Sequence, residues 1–208
     1  MTVLNHAASP LSALRVYSSE TAYSDYSLSV SYNDDTGSYV ASSDLSTLIA
    51  GTAGNEGMTG GDGDDLFYGN AGNDTIEGGG GDDTVIVSDG HDVITYGDGI
   101  DRVIIGAEYQ IKNTESVSGD LKLNLTKVAD NNDHSVTLKS DGSEGATFSL
   151  RVYRNETEFD DLLVQTARDT SVDPAEIDAS ARETPTLLIS GDDGDKLIGG
   201  SVSDQLSG

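Results

Sequence analysis

Between Gly51 and Ile104 the chain repeats itself every nine residues, and a period that short leaves few folds open. Written in nines from Gly51, the segment reads GTAGNEGMT, GGDGDDLFY, GNAGNDTIE, GGGGDDTVI, VSDGHDVIT, YGDGIDRVI. The fourth place is glycine in every block (Gly54, Gly63, Gly72, Gly81, Gly90, Gly99). The sixth is acidic (Glu56, Asp65, Asp74, Asp83, Asp92, Asp101) and the eighth apolar (Met58, Phe67, Ile76, Val85, Ile94, Val103). Glycine reaches backbone angles forbidden to other residues, so the front of each block is a tight turn. One apolar residue between two mostly polar ones suits a very short strand with a single side chain inward. Turn and strand alternating at a fixed period make a solenoid in which two blocks complete each coil. Met58, Ile76 and Ile94 then stack on one side, and Phe67, Val85 and Val103 on the other.

That stacking raises an electrostatic problem, and composition sharpens it. Asp65 falls above Asp83 and Asp74 above Asp92, with neighbouring strands only ~4.8 Å apart. Rows of like carboxylates repel unless a cation lies between them. The 208 residues hold 37 acidic against 11 basic side chains, a formal net charge of -26, and only 35% hydrophobic residues. A chain this acidic and this poor in core formers sits near the border of disorder unless something neutralises it. Carboxylates together with turn carbonyls are hard oxygen ligands, which favour Ca²⁺. Cysteine is absent and the three histidines, His6, His91 and His134, are too scattered for a zinc site. The scarcity of Lys and Arg disfavours nucleic acid and anionic membrane surfaces as partners. No apolar run approaches the ~20 residues of a membrane span.

The blocks resemble the calcium-binding nonapeptide of the repeats-in-toxin (RTX) family, G-G-x-G-x-D-x-U-x with U apolar; those beginning at Gly60, Gly69 and Gly78 match closely. The resemblance implies a parallel β-roll with Ca²⁺ between turns of adjacent coils on the same side, about four ions in all. It implies carboxylate ligands from Asp65, Asp74, Asp83, Asp92 and Asp101, with Glu56 standing where the first Asp is expected. Turn ligands would come from Gly61, Gly63, Asn70, Gly72, Gly79, Gly81, Gly90 and Gly99. Val87 and Tyr96 depart from the pattern, replacing the leading glycines of the last two blocks.

A second, longer repeat encloses the first. LRVYSSETAYSDY from Leu14 returns as LRVYRNETEFDDL from Leu150, and TLIAG from Thr47 as TLLIS from Thr186. At the end of the chain SGDDGDKLI and GGSVSDQLS restart the nonapeptide, with Asp195 and Asp204 in the sixth place as further candidate ligands. A solenoid stopped there has no cap, so the sequence is expected to be a piece of a longer, tandem-module protein. The intervening segments LKLNLT (121–126), SVTLK (135–139) and TFSLRVY (147–153) alternate apolar and polar residues, as half-buried antiparallel strands do. Asn155 with Glu158 three residues on reads as a capping box, and Phe159, Leu162, Leu163 and Thr166 give the helical stripe that would follow it.

The expected architecture is therefore mainly all-β. Residues 1–45 are the tail of a preceding module and a linker, 46–106 the roll, and 107–155 an antiparallel layer capping it. Residues 156–185 form a short helix and linker, and 186–208 the start of a second roll. No catalytic constellation is present: GxSxG, HExxH and a phosphate loop are all missing. The tyrosines Tyr17, Tyr23, Tyr26, Tyr32 and Tyr39 suit either a core between rolls or stacking on sugar rings. The expected function is non-enzymatic. It is that of a calcium-folded structural or adhesive module, extracellular or at the cell surface, and the resemblance implies type I secretion. Neighbouring modules would be its partners. The alternative is a polysaccharide-binding accessory module of an extracellular enzyme.

Overall fold

The computed structural model describes residues 13–17, 23–27, 30–33, 37–41, 45–117, 120–140, 147–166, 176–178, 186–189, 196–198 and 205–207. Among these, every regular element is a strand. β1 (Ala13–Tyr17) and β2 (Tyr23–Ser27) form an antiparallel hairpin that is a sheet of its own, and β3 (Val30–Asn33) pairs antiparallel with β4 (Ser38–Ala41). The repeat contributes β5 (Leu48–Ala50), β6 (Gly57–Thr59), β7 (Leu66–Tyr68), β8 (Thr75–Glu77), β9 (Thr84–Ile86), β10 (His91–Tyr96) and β11 (Asp101–Ile105). These alternate between two parallel sheets, β4-β6-β8-β10 and β5-β7-β9-β11.

The registers show two blocks per coil. Met58 lies beside Ile76 and Ile76 beside Ile94, while Ile49, Phe67, Val85 and Val103 form the facing row. Strands of three residues have no independent stability. What holds them is this double row of inward side chains, all at most 4% exposed, each contributing roughly 1.5–3 kcal/mol by burial.

The solenoid continues past the repeat. β12 (Tyr109–Val117), β13 (Asp120–Lys127) and β14 (Asp133–Ser140) extend one sheet, with β14 parallel to β10 and Leu138 beside Ile94. β15 (Thr147–Tyr153) and β16 (Phe159–Thr166) extend the other, with Leu150 beside Val103. The antiparallel layer is thus divided between both sheets rather than laid down as one meander, and each half carries one interior row onward. β12 is a mostly exposed outer strand whose polar sequence gives little sign of it. Val87 and Tyr96 are 3% and 2% exposed, and the Tyr96 ring packs 4.7 Å from that of Phe148. Where the roll meets the broader layer, these side chains fill space that glycine would leave empty.

The helix expected after Asn155 is replaced by strand β16. The capping contacts do form: Asn155 Oδ1 accepts the Thr157 and Glu158 N–H groups, both at 2.9 Å. They close a hairpin turn, with Arg154 N–H donating to Glu158 C=O, so the chain folds back on β15. The open edge of β15 offers hydrogen-bond partners along its whole length, and that outweighs a weak helical period. Val164 turns inward at 0% exposure, while Phe159 stays 41% exposed under the Arg151 guanidinium, 3.9 Å from its ring centre. Arg151 also forks onto Asp161 at 2.7 and 2.8 Å.

The longer duplication is structural as well. β1 and β2 pair Leu14 with Tyr26, Arg15 with Asp25 and Tyr17 with Tyr23; β15 and β16 pair Leu150 with Leu162, Arg151 with Asp161 and Tyr153 with Phe159, in the same register. β17 (Glu176–Asp178), β18 (Thr186–Ile189), β19 (Lys196–Ile198) and β20 (Gln205–Ser207) restart parallel coiling, with Leu188 beside Leu206 and β18 laid parallel on β16.

Turn geometry gives a first prediction. Gly72 has φ +118°, and a Cβ there would overlap the Gly54 carbonyl oxygen of the preceding coil. Gly80 has ordinary φ and only van der Waals neighbours, at 3.7 Å and beyond. Gly72→Ala should destabilise the folded chain by at least ~2 kcal/mol, from strain plus overlap. Gly80→Ala should stay within ~1 kcal/mol of wild type. Denaturant melts in saturating calcium would reveal the contrast; similar midpoints would contradict the stacking.

Candidate metal centre

The sixth-place carboxylates lie in two buried rows, one on each side of the roll. Asp65, Asp74, Asp83, Asp92 and Asp101 are 1–4% exposed and Glu56 is 7% exposed. Each Oδ1 accepts the N–H of the sixth-place residue one coil earlier. Thr47 N–H donates to Asp65 (2.6 Å), Asp65 N–H to Asp83 (2.8 Å) and Asp83 N–H to Asp101 (3.0 Å). On the other side Glu56 N–H donates to Asp74 (2.9 Å) and Asp74 N–H to Asp92 (3.0 Å). Thr47 begins the first row, a role that its position 18 residues before Asp65 signals but the sequence reading passed over.

The second carboxylate oxygen separates outer from inner blocks. In blocks two and six the second-place N–H of the same block occupies it: Gly61 N–H donates to Asp65 Oδ2 at 2.9 Å and Gly97 N–H to Asp101 Oδ2 at 3.0 Å. In block five the Ser88 hydroxyl reaches Asp92 Oδ2 at 3.4 Å. Thr52 holds Glu56 in the same way, through N–H at 2.9 Å and Oγ1 at 2.6 Å. In blocks three and four the second place is left-handed, Asn70 at φ 73° and Gly79 at φ 100°. There Asp74 Oδ2 and Asp83 Oδ2 are buried with no hydrogen-bond partner. An orphaned buried carboxylate oxygen is costly unless a cation or proton satisfies it.

The proton affinities register that cost. Burial pushes Asp83 up to about 8 and Asp92 up to about 7, and like charges add to both: Asp101 and Asp65 beside Asp83, Asp74 beside Asp92. Burial, with Glu56 nearby, takes Asp74 to about 6; Asp65 is raised too, mainly by burial. Among the described residues no three His, Cys, Asp or Glu side chains converge on one point. A cation here would take carboxylates from successive coils and complete its shell with turn carbonyls. Such a hard-oxygen set fits Ca²⁺.

The turn residues that the sequence singled out lie beside these rows. Gly72, Gly79, Gly81, Gly90 and Gly99 all have positive φ, which brings successive turns into backbone contact. Gly61 C=O accepts Gly80 N–H at 2.9 Å, and the Asn70 amide donates to Gly51 C=O at 2.6 Å. A Cβ on Gly63 would meet the Leu45 backbone at 2.6 Å. Asp195 and Asp204 lie outside the described residues, as do the side chains of Tyr17, Tyr23, Tyr26 and Tyr32; Tyr39 packs partly buried against the core.

The family model for the RTX calcium-binding nonapeptide repeat (4 copies) matches residues 50–85 and 68–103. No curated protein and no solved structure is significantly similar to the chain. Residues 50–103 are therefore a run of RTX repeats, and the segment they form is a calcium-binding β-roll.

Proposed function

We propose that the chain is a structural or adhesive module of a tandem array outside the cell or on its surface, set rigid by calcium. Residues 46–106 act as the roll, 107–155 as its cap and 186–208 as the start of the next roll. About four ions bind between turns on the same side, held by Asp65, Asp74, Asp83, Asp92 and Asp101 with carbonyls of the neighbouring turns. The observation that carries the reading is the pair of orphaned oxygens, Asp74 Oδ2 on one side and Asp83 Oδ2 on the other. Release into millimolar calcium after type I export would then trigger folding where the module is needed. The register-matched hairpins and restarted coils support the array.

Calorimetric titration tests the proposal. Roughly four calcium ions per chain are expected, while magnesium, which holds its waters and demands tight octahedral geometry, produces no folding. Absence of calcium binding, or equal response to both ions, would overturn it.

A further inference from the structure

The odd-numbered turns end against side chains rather than against another turn. Asp89, in the third place of block five, accepts Lys127 Nζ on both carboxylate oxygens, at 2.7 and 2.6 Å, and Tyr109 Oη at 2.6 Å. The ammonium also lies 5.8 Å from the Tyr109 ring centre. Gly90 N–H donates to His134 Nδ1 at 2.8 Å, Ser135 N–H donates to Gly90 C=O at 2.9 Å, and His134 Nε2 lies 3.9 Å from Asp89. One coil earlier the same turn meets only another turn: Asp89 N–H donates to Asn70 C=O at 3.0 Å and His91 N–H to Asn73 Oδ1 at 2.9 Å. Tyr109, Lys127, His134 and Ser135, from the three strands β12, β13 and β14, thus stand where the next odd turn would stack.

We infer that Lys127 is a built-in cation that closes the odd row of turns, supplying from the strand layer the positive charge that a further coil would need a metal to supply. The ammonium forks onto one carboxylate, its partner is anchored a second time by Tyr109, and the nitrogen is held to the ring face. An ion pair so fixed couples its elements far more than a freely solvated one. Lys127 therefore joins the last odd turn to the cap without metal and sets where the calcium-dependent stack stops. The inference rests on calcium-driven folding of the roll and adds the residue that terminates it.

A double-mutant cycle on the full chain tests this, using the calcium midpoint of folding by circular dichroism. Lys127→Met and Asp89→Asn should each raise the midpoint at least threefold. The double variant should shift far less than the product of the two, and Lys127→Arg should restore most of the wild-type value. Lys112 and Asp133 form an exposed ion pair on the same layer, with 50% and 72% of their side chains accessible; Lys112→Met should shift the midpoint less than 1.5-fold, because solvent screens an exposed pair. If Lys127→Met fails to fold at any calcium concentration, recovery by Lys127→Arg upholds the inference and non-recovery overturns it. Shifts that multiply, a Lys127→Met shift no larger than that of Lys112→Met, or one additional calcium bound by Lys127→Met at an unchanged midpoint would each overturn it. A wild-type chain that ignores calcium would remove the functional reading as well, so the two failures are distinguishable.

Discussion

In chelator at pH 8 the chain should be largely unfolded, and millimolar calcium should convert it to β structure, read as a cooperative change in far-ultraviolet circular dichroism. The folded, metal-free roll must bury two rows of carboxylates, two of them with an unsatisfied oxygen. Sites of extracellular type, with Kd of ~10⁻⁴–10⁻³ M, contribute on the order of 1 kcal/mol each at millimolar calcium. Several acting together rival the ~5–15 kcal/mol that stabilises an ordinary domain. An unchanged spectrum would refute the expectation. The pH dependence has a definite sign. Asp74, Asp92 and Asp83 titrate in the fold near 6, 7 and 8, against 3.8 unfolded. Between 3.8 and these values the folded state carries protons that the unfolded state has lost, so metal-free stability falls as pH rises through that window. In chelator, then, acidification from pH 8 to pH 5 should increase folding. Calcium should therefore add less to folding at pH 5 than at pH 8, because protons and cations compete for the same oxygens.

Asp83→Ala should raise the calcium midpoint about tenfold, equivalent to ~1.4 kcal/mol, whereas Glu56→Ala should shift it less than about twofold. Asp83 has both jobs that the rows require. Its Oδ1 accepts the Asp65 N–H, and its Oδ2 is the orphan that a cation would satisfy. Alanine removes both and leaves a buried N–H unpaired. Glu56 has its two oxygens already held by Thr52, in the first block, so its loss loosens one terminal turn. The paired titration separates the two, and equal shifts would mean that the register of the rows does not govern binding.

Much of this organisation was legible in the chain itself, because a solenoid writes its geometry into the period. In the six blocks from Gly51, each sixth-place acid lies in a buried row and each eighth-place apolar residue in an interior stack. What escaped notice has physical causes. Asn155 and Glu158 make the same local bonds at a hairpin turn as at a helix start, and only the free edge of β15 decides between them. Tyr109, Lys127 and His134 carry no shared spacing with Asp89; three different strands bring them to it. Val87 and Tyr96 read as damage to the motif, yet they fill the place where the core broadens. The orphaned oxygens depend on whether the second place of a block is left-handed, and Asn70 gives little hint of that in sequence.

The alternation of blocks between two sheets also governs how such a chain can change length. Two blocks make one coil, so gain or loss of eighteen residues leaves every later strand in its own sheet. A change of nine would exchange the sheets: β14 would meet the edge meant for β15, and Lys127 would face a turn without Asp89. Inheritance of such a roll should therefore proceed in whole coils, and relatives of different length should differ by even numbers of blocks.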